Sequence, residues 1–180
     1  MGESAWAPVL DRLVRERRTA LVRYAALLTG GDLRDADDLV QEALVRTFGR
    51  GRPLREVAAA EQYVRQAILR VFLDGYRRRQ NWHRLQHLVG APDSVASATG
   101  SADTGIDVRA ALATLRPQPR ACVVLRFYDD LTVPEIADRL GLAQGTVKRY
   151  LSDAASALEA LLGPLPDART EVALVHEEER

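Results

Sequence analysis

The sequence predicts an all-α protein: two small helical domains joined by a flexible linker, the second a helix-turn-helix domain. Apolar residues recur at three- and four-residue steps along most of the chain, the period that gathers them on one face of a helix. No stretch alternates apolar and polar residues over a length useful to a strand. Between two sets of helical stripes lies "GAPDSVASATGSADTG", Gly90 to Gly105, which is small, polar and aperiodic, as a tether is. A chain of 180 residues, 47% hydrophobic and 28% charged, is globular in composition and long enough for two small cores.

The elements follow in order. In the first, Trp6, Val9, Leu10, Leu13, Val14, Leu21, Tyr24 and Leu28 form a stripe that "TGGD" ends. Asp32 or Asp35 caps the second, whose stripe is Ala36, Leu39, Val40, Ala43, Leu44 and Phe48, until "GRGRP" breaks it. A third runs through Tyr63, Val64, Ala67, Ile68, Val71, Phe72 and Tyr76, and three such stripes can bury one another as a bundle. Beyond the tether, Val108, Ala111, Leu112 and Leu115 make a short helix ended by "RPQP", and Cys122 to Phe127 belong to another. The predicted boundaries are 1–84 for the first domain, 85–107 for the linker and 108–163 for the second domain. An acidic tail, 164–180, is expected to be disordered.

The next two elements carry a recognisable motif. In "TVPEIADRLG", Thr132 is a helix N-cap and Glu135 completes a capping box, with Pro134 tolerated in the first turn. Ile136, Ala137 and Leu140 turn inward, and Gly141 permits a sharp turn into a second helix with Val147, Leu151 and Ala154 buried. Gln144, Lys148, Arg149 and Ser152 then lie on or near the opposite face, with Gly145 and Thr146 at the helix start, where a phosphate can approach backbone amides. Lysine and arginine bond guanine edges or phosphate and glutamine pairs with adenine, so these groups suit a major groove. Taken alone, the same spacing describes an amphipathic hairpin with a solvated polar face.

Several function classes are excluded. Formal net charge is zero, so nucleic-acid binding has to come from local patches and not from a general coat of cations. The single cysteine, Cys122, sits in the apolar run "ACVVL" and reads as a small buried hydrophobe. His83 and His87 share a helix face, but no carboxylate or cysteine nearby completes a ligand set, so no metal is expected. No phosphate-cradling glycine loop or serine–histidine–acid arrangement is present, and neither an enzyme activity nor a cofactor is expected. Neither a signal peptide nor an apolar run of membrane-spanning length is visible, which leaves a cytoplasmic location and no membrane insertion.

Both halves together carry a resemblance. "DADDLVQEALVRTF", then "YVRQAILRVFLDGYRRR", then "LATLRPQPRACVVLRFYDDLTVPEIADRLGLAQGTVKRYLSDAASALEALL" resembles the extracytoplasmic-function (ECF) group of bacterial RNA polymerase sigma factors. The likeness spans most of residues 13 to 162, and its wording is most similar to the actinobacterial SigE-like members. It implies that the first domain is sigma region 2, which binds the clamp helices of the polymerase largest subunit and melts the minus-ten promoter element. The second would be region 4, reading the minus-thirty-five element. The clamp-binding motif maps to Asp37, Asp38, Leu39, Gln41 and Glu42, where acids and an amide can meet a basic coiled coil beside an apolar contact. The minus-ten readers map to Arg65, Arg70, Arg77, Arg78 and Arg79 of the third helix, with the loop Gly49 to Ala59 as a pocket for an extruded base. Strand opening needs cations for the backbone and surfaces for unstacked bases. Tyr63, Tyr76 and Trp82 are candidate stacking residues; Tyr63 and Tyr76 also fall in the apolar stripe, where they would belong to the core, so Trp82, beside the basic run, is the best of the three. The minus-thirty-five readers map to Gln144, Gly145, Thr146, Lys148, Arg149, Ser152 and Asp153. The resemblance implies core RNA polymerase and promoter DNA as partners and an anti-sigma factor as a further one, which no residue here identifies.

The chain departs from the family pattern at several positions. Tyr63-Val64 stands for Trp-Leu, Arg70 for an asparagine, Ala143 for a serine cap, and Tyr150 and Asp153 for two arginines. Losing the cap costs about 0.5–2 kcal/mol locally, and a carboxylate facing phosphate repels it. These departures keep two other readings open: a sigma-like decoy or adaptor without promoter activity, and a helix-turn-helix regulator that does not use the polymerase clamp.

Overall fold

The computed structural model describes residues 6–49, 54–89 and 108–162, with the backbone alone given for 83–89. Seven helices are present among these residues and no strand. The chain divides into two compact units, 1–102 and 103–180. The expected tail, most of the expected linker, and the side chains of His83 and His87 lie outside the described residues.

Unit 1 is a bundle of α1 (Ala7–Thr29), α2 (Leu33–Phe48) and α3 (Val57–Val89), each packed on the other two. Pro8 opens α1, where its missing N–H is no loss, and Gly30 closes it in the left-handed region (φ 79°), its N–H donating to the Ala26 carbonyl. Of the two candidate caps for α2, Asp32 is the one used: its carboxylate accepts from the amides of Arg34 (2.8 Å) and Asp35 (3.1 Å). The apolar stripes meet as expected, with Leu13, Leu21, Tyr24, Leu28, Val40, Val64, Ile68 and Leu69 almost fully buried. Each such side chain contributes roughly 1.5–3 kcal/mol of transfer free energy. Trp6 packs on Phe48 with ring centroids 5.8 Å apart, closing one end of the bundle. The third helix begins at Val57 and runs to Val89, past residue 85, where the linker was expected to start.

Unit 2 contains α4 (Val108–Ala113), α5 (Pro117–Phe127), α6 (Val133–Leu140) and α7 (Gln144–Leu162). A buried arginine stitches its beginning together. The Arg120 guanidinium donates to the carbonyls of Ala113 (2.8 Å) and Leu115 (2.9 Å), satisfying orphan groups at the end of α4. Burial lowers its pKa. Cys122 lies in the core, where desolvation pushes its thiol up to about 12, so the thiolate needed for reactivity is not formed near neutrality.

Candidate nucleic-acid and polymerase interface

The helix-turn-helix is assembled from its caps. The Glu135 carboxylate accepts from both the backbone N–H (2.8 Å) and the hydroxyl (2.6 Å) of Thr132, fixing the start of α6. Those two bonds, the hydroxyl's first, hold the Glu135 pKa below its usual range. Gly141 ends α6 at φ 65°, and the Leu142 amide reaches back to the Ala137 carbonyl (2.9 Å). An added Cβ at Gly141 would meet nothing within 4 Å, so conformation and not space calls for glycine there. Leu140, expected inside, is half-buried.

Val147, Leu151, Ala154 and Leu158 bury the inner face of α7. Gln144, Gly145, Arg149, Ser152 and Asp153 are exposed, while Thr146 and Lys148 are half-buried at its flanks. Nothing lies within 4 Å of a Cβ built on Gly145, so the backbone of the first turn is open to approach. Asp153 stands one turn beyond Arg149 and makes no hydrogen bond or ion pair among the described residues. Tyr150 belongs elsewhere: its hydroxyl donates to the Gln118 Oε1 atom (3.1 Å) at the start of α5, and the Arg149 guanidinium lies 5.5 Å from its ring centroid. The tyrosine that stands for an arginine thus ties α7 to α5.

On α2 the acidic motif separates into two roles. Asp37 is committed within the unit, accepting from Arg18 of α1 (2.6 Å) and from Gln41 (3.0 Å). Asp38, Gln41 and Glu42 are exposed, Glu42 being bonded to Arg46 (2.6 Å), and Leu39 is half-buried. Val45, 70% exposed, completes this stripe as an apolar residue that the sequence reading missed. Its signal was phase: it follows Asp38 by two helical turns and falls outside the inner stripe of Ala36, Val40 and Ala43.

On α3 the five arginines do not share a face. Arg65 is mostly buried, bonded to Glu61 (2.7 Å) with its guanidinium carbon 5.5 Å from the centre of the Tyr24 ring, and so points toward α1. Arg70, exposed, instead lines a cleft of about 190 Å³ beside the last turn of α2. Tyr63 and Gln66 line the same cleft from α3, as does Asp74 one turn beyond Arg70, facing Arg46 and Thr47 of α2. Tyr63 is 42% exposed and not a core residue, correcting the stripe assignment; Tyr76 is half-buried, its hydroxyl accepting from Gln80 (2.7 Å). Arg77, Arg78 and Arg79 are exposed, and Trp82 is 62% exposed beyond them. Of the expected pocket loop, Gly49 to Ala59, residues 50–53 lie outside the described residues, while Val57 to Ala59 are helical and Leu54 is buried. The cleft therefore borders α2 and α3, with lining residues outside that loop.

Fold and surface define a class: a helical protein with a helix-turn-helix in one unit and, in the other, a bundle bearing an acidic face and a basic helix. The comparisons with known proteins give the family. Residues 13–82 match the model of sigma-70 region 2 and residues 106–158 that of sigma-70, region 4. The chain is 35% identical to the RNA polymerase sigma-E factor of Streptomyces avermitilis over 154 residues, 82% of each chain. It is 33% identical to the ECF RNA polymerase sigma factor SigE of Mycolicibacterium smegmatis, covering 82% of this chain and 59% of that one. The same fold occurs in the co-crystal structure of the sigma factor RpoE with the anti-sigma factor NepR from Bartonella quintana, at a TM-score of 0.58 and 23% identity over 84% of this chain and 95% of that one. The chain belongs to the ECF family of RNA polymerase sigma factors, transcription factors that are not themselves enzymes. No described helix is long and apolar enough to cross a membrane.

Proposed function

We propose that this chain binds core RNA polymerase in the cytoplasm and directs promoter-specific transcription initiation. Residues 1–89, to the end of α3, act as region 2, 90–107 as the linker, 108–163 as region 4 and 164–180 as an acidic tail. The observation that carries the reading is the outward stripe Asp38, Gln41, Glu42 and Val45 on α2, in one chain with a capped helix-turn-helix. Acids around an exposed valine are complementary to a basic coiled coil with an apolar seam, the chemistry of the clamp helices of the largest subunit. Asp37 supports this stripe from behind by fixing α2 to α1.

Promoter DNA is met by both units. Arg77, Arg78 and Arg79 neutralise the backbone of the opened minus-ten strand, Trp82 stacks a base, and Arg70 reads one; Arg65 only braces the bundle. In the minus-thirty-five element, Gln144, Lys148, Arg149 and Ser152 face base edges and phosphates, and Gly145 and Thr146 admit a phosphate to the helix start. Asp153 rejects sequences or backbone positions that press on it. An anti-sigma factor is a further partner of the kind found with the Bartonella quintana protein. Transcription from genomic DNA fragments by core enzyme tests the proposal. Promoter-dependent transcripts are expected only when this chain is added; their absence with folded chain and active core would refute it. A second reading, a polymerase-binding decoy without promoter activity, is favoured by Asp153 alone and predicts polymerase binding with no transcript.

A further inference from the structure

We infer that Asp153 is a specificity-determining residue of the reading helix, its carboxylate selecting a cytosine through the exocyclic amine on the major-groove edge. This rests on the reading of α7 as the helix that meets duplex promoter DNA. Arg149 stands four residues before Asp153, a spacing at which an arginine and an acid can close on one another, as Arg12 and Glu16 do on α1 (3.4 Å). On α7 they stay apart: neither makes a hydrogen bond or ion pair among the described residues. The Arg149 guanidinium lies instead 5.5 Å from the centroid of the Tyr150 ring, and Tyr150 is itself held by Gln118 (3.1 Å). The donors of one side chain and the acceptors of the other are therefore both left for a ligand.

At about 100° per residue, α7 sets Asp153 about 40° around the helix from Arg149 and one turn further along. Both point away from the buried Val147, Leu151, Ala154 and Leu158. Exposed beside them are Gly145, Ser152 and Ser156, all small. Aspartate is short and reaches a base edge only where the backbone comes close to the groove floor, and these neighbours leave room for that approach. An ionised carboxylate accepts and cannot donate. In the major groove guanine presents two acceptors, and thymine an acceptor and a methyl group, so both repel it or offer it nothing. Adenine has an amine, but its N7 acceptor stands beside it against the second carboxylate oxygen. Cytosine presents the N4 amine without an adjoining acceptor and fits best. Arg149, one turn away, has the converse preference for guanine.

The test is a selection from random-sequence duplexes by core polymerase carrying the full-length chain, read by sequencing. The wild type is expected to enrich cytosine at one position of the upstream element, on the order of tenfold over the other three bases. Asp153→Ala should erase that enrichment and leave the rest of the motif, and Asp153→Asn, which donates as well as accepts, should admit adenine there. Asp153 is exposed and uncommitted, so neither substitution disturbs the core. Replacing the selected cytosine by 2-pyrimidinone, which lacks the N4 amine, should weaken wild-type binding on the order of tenfold and leave the alanine variant unchanged. A motif that Asp153→Ala does not alter, or a variant that only binds every sequence more tightly, would overturn the assignment while leaving α7 as the reader. If the wild type selects no upstream element at all, the reading of unit 2 falls with it.

Discussion

The two helices proposed to meet DNA, α3 and α7, solve the problem in different ways. The exposed surface of α3 carries Arg70, Arg77, Arg78 and Arg79 with Trp82 beyond them, whereas α7 offers Lys148 and Arg149 and sets Asp153 beside them. The contrast extends to the units. Residues 1–102 hold 16 arginines against 12 acids, and residues 103–180 hold nine basic residues against 13 acids. In the proposed function, long-range attraction to a polyanion falls to unit 1, and unit 2 is expected to discriminate with few charges and to depend on its partner for affinity. Positive charge supplies binding that tolerates any sequence; a carboxylate at a reading face removes some of that tolerance.

Substitutions that erase the contrast have the largest expected effects. Replacing Arg77, Arg78 and Arg79 with alanine should weaken single-strand binding on the order of a hundredfold at low salt and flatten the salt slope by about 2, measured by titrations at several salt concentrations. Lys148→Ala should cost about 1–3 kcal/mol of minus-thirty-five binding, selectively if it reads a base and uniformly across sequences if it holds a phosphate. Asp153→Asn should move unit 2 toward the character of α3, tightening duplex binding roughly fivefold while lowering discrimination between sequences. Competition assays against random duplex separate those two effects.

Two smaller effects concern how the reading helix is held. Ala143 precedes α7 without a side-chain acceptor, so Ala143→Ser should stabilise that helix start by about 1 kcal/mol, read as a rise in the melting temperature of unit 2. The Glu135 pKa is lowered in the fold, so its cap contributes fully above the ordinary carboxylate range and is lost as pH falls through the folded value. Thermal melts of the full chain should show unit 2 weakening in acid, and Glu135→Gln should remove that part of the pH dependence.

Much of this architecture was legible in the sequence because it is local. The stripe Val147, Leu151 and Ala154, the Thr132–Glu135 box and the left-handed Gly141 depend on spacing within one or two turns, and they stand as read. What periodicity could not supply was the direction of residues at the margin of a stripe. Tyr63 is in phase with the core yet exposed, and Arg65 looks like a surface cation until Tyr24, 41 positions earlier, comes beneath it. Tyr150 likewise reads as a missing DNA contact because its partner, Gln118, lies on another helix. The division of the acidic motif between Asp37, paired to Arg18, and the exposed Asp38 also depends on a neighbour that only folding brings near.

The central claim is that one polymerase-binding chain reads promoters with two unlike surfaces. The most direct measurement is a genome-wide map of fragments retained by core polymerase with and without this chain. A two-part motif at fixed spacing is expected, enriched only in the presence of this chain, with the upstream part weakened by Lys148→Ala and the downstream part by Arg70→Gln. Equal fragment sets with and without the chain, or a motif indifferent to both substitutions, would contradict it.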